Sequence, residues 1–169
     1  MAKPVPHLFL TATRTLGALA LLVVGGVHYQ QYHYDFYSAI PTIGPLFLLN
    51  AIAATALGLF LLSPFRVHGR MGTLLNRLAA LAGVGVTAGA FVGLLVSEHT
   101  PLFGFREHGY RFAIVLALGA EAVAMVMLAF FLIGEVRGAR LNAPASRRGV
   151  SGDHHGSAPK TALAPNHER

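Results

Sequence analysis

The chain has 169 residues, 54% of them hydrophobic and 12% charged, with a formal net charge of +6. A soluble domain carries about 25% charged residues, so this chain is too poorly charged to cover a globular surface, and its mean hydropathy of +0.56 points to membrane helices. With no cysteine in the sequence, disulfides, thiolate metal sites, thiol redox chemistry and covalent c-type haem attachment are excluded. The positive charge is spread beside apolar runs and through the C-terminal segment instead of forming one basic patch, which argues against a nucleic-acid partner. Arginine outnumbers lysine 11 to 2 in an Ala/Gly/Val-rich background, a bias that suggests a GC-rich bacterial genome.

After a short segment with Lys3 and two prolines, the first span is expected over 11–29, TATRTLGALALLVVGGVHY. Arg14 is close enough to its start to snorkel to the interface. A basic start before an apolar run also fits a signal peptide, but the run is long and no small-x-small site follows it, so a retained helix is expected. The next stretch, QQYHYDFYSAIPT, is dense in His, Tyr and Asp. Pro41 and Pro45 bracket the start of the second span, 43–62; proline suits a first helical turn because the missing N–H has no partner there anyway. Ser63-Pro64 ends that span, and the basic loop RVHGRMG leads to a third span over 74–96. The loop SEHTPLFGFREHG then precedes a fourth span over 110–133. From residue 137 onward the sequence is rich in Gly, Pro, Ser, Ala and Arg without apolar periodicity, which predicts a disordered tail. Its His154-His155 pair reads as solvated.

Orientation follows from Lys and Arg. With the N-terminus inside, eleven lie on the cytoplasmic side and two, Arg106 and Arg111, outside. The expected fold is therefore all-α: a four-helix transmembrane bundle, residues 1–136, with both termini cytoplasmic and a basic tail, residues 137–169, in a bacterial cell membrane.

Glu121 is the costliest residue in the apolar runs. About ten residues into its span, it sits near mid-membrane, where an acidic side chain costs roughly 2.5–3.5 kcal/mol on insertion scales. It is expected to face the bundle, in one polar layer with Asn50 and Thr87. As a neutral acid it could donate to Asn50 or a helix carbonyl and fix register; as a functional group it could exchange protons or hold a cation. No basic partner is apparent at its depth.

Gly85, Gly89 and Gly93 form a G-x-x-x-G-x-x-x-G stripe, which predicts close helix packing within the bundle or in a homo-oligomer. The outer rim gathers His28, His33, His99 and His108 with Asp35. His28 and His99, each ending a span, could clasp a haem, and with carboxylates the set could take Cu²⁺ or Zn²⁺. The spacing is not that of a metal helix, however, and interfacial His and Tyr serve as headgroup anchors, so no cofactor is the favoured expectation. Glu98 and Glu107 are expected to pair with Arg106 and Arg111.

The run IPTIGPLFLLN after a His- and Tyr-rich loop resembles small four-span membrane proteins of high-GC Gram-positive bacteria, whose activity is unassigned. The resemblance implies the architecture and no activity. No nucleotide loop, nucleophile elbow or zinc-protease helix is present. Three functions remain open. The favoured one is a non-enzymatic accessory or interaction subunit whose partners are the lipid bilayer and a homo-oligomer or larger membrane complex. The others are a proton- or cation-coupled carrier using Glu121, and a haem- or metal-binding redox protein using the outer histidines.

Overall fold

The computed structural model describes residues 6–63, 69–101, 103–104 and 112–141. The described residues form four long helices: α1, His7–His33; α2, Ile43–Leu62; α3, Arg70–His99; and α4, Phe112–Leu141. Each is long and apolar enough to cross a membrane. At about 1.5 Å per residue, the 20 residues of α2 match a hydrocarbon core of about 30 Å, and the other three helices exceed it.

Three of the four helices outrun the apolar stretches that announce them. The second span has the expected bounds, but α1 reaches back to His7 and on to His33, and α3 covers Arg70–His99 in place of 74–96. α4 continues through Arg137 and Arg140 to Leu141, so the first residues assigned to the tail are helical. The rest of the expected tail, including His154 and His155, lies outside the described residues. Hydropathy marks only the part of a helix that needs apolar side chains. Backbone hydrogen bonding is internal to the helix and carries on through polar turns such as Tyr29–His33 until something stops it. Here the stops are local. Pro6 precedes α1, Gly69 with φ +85° precedes α3, and Phe36 with φ +62° follows α1.

Between α1 and α2 the chain makes one 3-10 turn, Tyr37–Ala39. Tyr37 is buried and its ring stacks on Phe47 of α2 at 4.7 Å. The turn is thereby folded down onto the start of α2. Gly44 is needed there, because a Cβ would stand 2.8 Å from the Tyr37 carbonyl oxygen.

The helices run up and down around a ring. α1 packs most extensively on α2 and α4, α3 closes the ring against α4 and, less extensively, α2, and α1 and α3 lie on a diagonal. Close pairs such as Gly17 with Leu128, Gly58 with Ala18 and Gly83 with Leu128 show antiparallel neighbours. The core is concentrated towards one end, where Leu21, Val24, Leu61, Ala124, Leu128 and Phe131 are buried together. At that same end Arg77 of α3 reaches Glu135 of α4, with Nε 3.4 Å from Oε2 and Nη2 donating to the Glu135 carbonyl oxygen at 3.1 Å. The other end, below the 3-10 turn, is built differently.

Candidate functional site

Towards the turn end the four helices enclose a cavity of about 450 Å³. α1 contributes His28 and Gln31 to its wall, α2 contributes Phe47 and Asn50, α3 its glycine stripe, and α4 contributes Ile114, Ala117 and Glu121. Most of the wall is apolar, with a few polar groups converging on it, which is the usual make-up of a ligand site; such sites span about 300–1,000 Å³.

The glycines explain part of its shape. A Cβ added at Gly85, Gly89 or Gly93 would meet nothing within 4 Å, so within the bundle the stripe is no packing seam. It is a bare strip of backbone facing the cavity. The close approaches expected of it occur at other glycines. A Cβ at Gly58 would lie 2.9 Å from the Ala18 carbonyl oxygen, and one at Gly17 would lie 2.7 Å from the Leu128 side chain. Five wall residues are also exposed: Leu46 and Leu49 on α2, Gly85 and Gly89 on α3, and Phe103 after α3. Among the described residues, then, the cavity opens sideways between α2 and α3.

Glu121 is 2% exposed and faces this cavity. The expectation that it lacks a basic partner is overturned: His28 Nε2 lies 3.6 Å from Glu121 Oε1. His28 is itself only 6% exposed, so it belongs to the interior and not to the outer rim. Its orientation fixes its protonation pattern. His28 Nδ1 is 3.0 Å from the Val24 carbonyl oxygen, and a carbonyl can only accept, so Nδ1 carries a hydrogen and donates it. Nε2 is left to face the carboxyl group. The 3.6 Å gap is too long for a hydrogen bond, but a small side-chain shift closes it. With one proton between Nε2 and Oε1 the pair is neutral overall, whichever atom holds it, which is the arrangement an apolar wall tolerates.

The second carboxyl oxygen has no such arrangement. Glu121 Oε2 is buried without a hydrogen-bond partner among the described residues, and so are Oδ1 and Nδ2 of Asn50. Asn50 therefore shares the cavity with Glu121 but does not act as its hydrogen-bond partner in this structure. Thr87 stands apart from both. It is fully buried, donates to the Gly83 carbonyl oxygen at 2.9 Å, and does not line the cavity.

The outer histidines do not converge. His33 is exposed and stacks on Tyr29 at 5.9 Å. His99 is exposed and bonds through Nδ1 to the Leu95 carbonyl oxygen at 2.9 Å. Asp35 sits in the chain leading into the 3-10 turn. His108, Arg106, Glu107 and Arg111 lie outside the described residues. Among the described residues, no three His, Asp or Glu side chains group so as to hold a metal ion.

Sequence reasoning missed the His28–Glu121 pair because it ended the first span at residue 29. In the structure His28 lies five residues before the end of α1, and Glu121 nine residues after the start of α4. α1 and α4 are antiparallel, and the extra turn of α1 beyond residue 29 brings His28 into the layer of Glu121, as their 3.6 Å approach shows. The polar residues Gln30 and Gln31, followed by Tyr and His, were the available signal that the helix goes on. Comparison with protein-family models, with curated proteins and with solved structures finds no match.

Proposed function

We propose that this is a multi-pass protein of a bacterial cell membrane, with both termini cytoplasmic, that acts as a non-enzymatic binding protein for a lipid-soluble ligand. One observation carries the reading: a sideways-opening cavity of about 450 Å³ holds a buried, half-partnered carboxyl group. A group that costs this much in an apolar medium and is left with an unused acceptor favours a recognition role over a purely architectural one. The eleven-to-two division of Lys and Arg supports the orientation, and in that orientation the cavity lies in the outer half of the membrane. This role refines that of an accessory subunit. The same pair, His28 and Glu121, also suits a proton-coupled carrier, because it can pass one proton between two atoms across a short gap.

The test is to purify the protein in a mild detergent, extract it with organic solvent and examine the extract by mass spectrometry. A Gly89→Phe variant, whose ring would occupy the cavity, is the control. Wild type is expected to retain a lipid-soluble compound that the variant lacks. Identical extracts would sink the binding reading. Proton flux in liposomes then separates the two modes: flux no greater than in empty vesicles leaves a binding protein and removes the carrier.

A further inference from the structure

Resting on that reading, we propose that the cavity recognises a flat ring bearing two hydroxyl groups on an apolar tail, that is, a lipid-soluble hydroquinone. The first argument is hydrogen-bond polarity. His28 Nδ1 donates to the Val24 carbonyl oxygen, and Nε2 faces Glu121 Oε1 at 3.6 Å. When a small side-chain shift closes this gap and one proton is shared between Nε2 and Oε1, Oε2 carries none and can only accept. Among the described residues this oxygen is buried without a partner, and an unmet buried acceptor calls for a donor. A hydroxyl group supplies one. The carbonyl of the corresponding quinone supplies none.

A second donor-and-acceptor group comes from α2. Among the described residues, both Oδ1 and Nδ2 of Asn50 are buried without partners, on a wall of the same cavity. A head group with two hydroxyls can serve Asn50 and Glu121 together. A simple alcohol can serve one of them.

The third argument is shape. The stripe from Gly85 to Gly93 runs eight residues, about 12 Å of helix, and lowers the α3 wall to backbone height at three places, between the side chains of Val86, Ala90 and Leu94 that line the same wall. Phe47 also forms part of the wall, held by stacking on Tyr37 at 4.7 Å and by the His28 ring at 5.2 Å. A cavity with a wall lowered by three glycines and an aromatic group on another wall accommodates a planar ring. The sideways opening between α2 and α3 gives such a molecule access from the hydrocarbon layer, with room for its tail. Binding is all that is inferred; no electron transfer is involved.

The experiment measures binding of four probes to the full chain in nanodiscs, under argon and with no added reductant or oxidant so that diol and quinone each keep their oxidation state: a benzene-1,4-diol with a decyl tail, the matching benzoquinone, 1-dodecanol and dodecyltrimethylammonium. The diol is expected to bind at least tenfold tighter than the quinone and the other two, and Gly89→Phe should abolish its binding. Glu121→Leu should bring the diol down to the affinity of the quinone. Glu121→Gln should keep the preference, because its amide can donate to Nε2 and leave its oxygen as the acceptor. A quinone that binds as tightly as the diol, or a Glu121→Leu variant that keeps the preference, overturns the assignment. If dodecanol or the ammonium probe binds as tightly as the diol and Gly89→Phe blocks it, the ring assignment fails while the cavity reading stands. If no probe binds in a way that Gly89→Phe blocks, the cavity reading fails as well. Should Gly89→Phe instead break up a dimer, with probe binding unchanged, the face is an interface between copies and both readings fall.

Discussion

The two ends of the bundle are made of the same kinds of residue and have opposite structures. At the end holding the N-terminus of α1, small residues let the helices touch: Gly58 meets the backbone of Ala18, and Gly17 and Gly83 receive Leu128 from two sides. At the turn end, Gly85, Gly89 and Gly93 meet nothing, and the helices stand around a cavity. Along α3, glycine is thus a packing residue at one end, Gly83, and a wall at the other, while Gly44 at the start of α2 still packs closely beneath the turn. The difference lies in what the neighbouring helix presents. Opposite Gly17 and Gly83 stands one branched side chain, Leu128, that fills the space between them. Near the stripe stand polar groups, His28, Asn50 and Glu121, whose hydrogen-bonding atoms keep the helices from closing on hydrocarbon alone. The closed end is built to hold the bundle together, and the open end relies on it.

If that contrast is right, the largest loss should follow from emptying the closed end. Leu128 is fully buried, and Leu128→Ala should cost about 2–5 kcal/mol, measured as denaturant or thermal stability in detergent micelles. A loss under about 1 kcal/mol would mean that the core does not carry the fold.

Next in size is the same substitution made at the two kinds of glycine. Gly58→Leu forces α1 and α2 apart against backbone, and overpacking of that sort costs about 1–3 kcal/mol. Gly89→Leu, at the end of this ranking, should leave the melting temperature nearly unchanged. Equal losses at both positions would erase the distinction between the ends, and a strong loss at Gly89 alone would restore the stripe as a packing seam.

Between them comes the polar pair. A double-mutant cycle with His28→Ala and Glu121→Leu, each of which removes the contact, should give a coupling of about 0.6 kcal/mol, with about 1.7 as a ceiling, the range seen for polar contacts between membrane helices. Zero coupling would show that the 3.6 Å approach of Nε2 to Oε1 has no energetic consequence and that the two groups are independent features of the cavity wall.

What was legible in the sequence was the set of helices. Four apolar runs separated by Pro, Gly and charged loops require four membrane-length helices, because a backbone in hydrocarbon must satisfy its own hydrogen bonds. The start and end of α2 could be read to the residue from Pro41, Pro45 and Ser63. Glu121 could be singled out as well, since a carboxyl group inside an apolar run is costly wherever the helix faces. Which faces meet could not be read. In a soluble helix the apolar stripe marks the buried side, but here the lipid-facing and interior faces are both apolar, so periodicity carries little information about rotation. Leu128, fully buried, and Val126, about half exposed, look alike in the sequence. For that reason only the tertiary structure decided that His28 turns inward to Glu121, that Thr87 turns to its own helix, and that the most regular glycine motif in the chain lines a cavity instead of a seam.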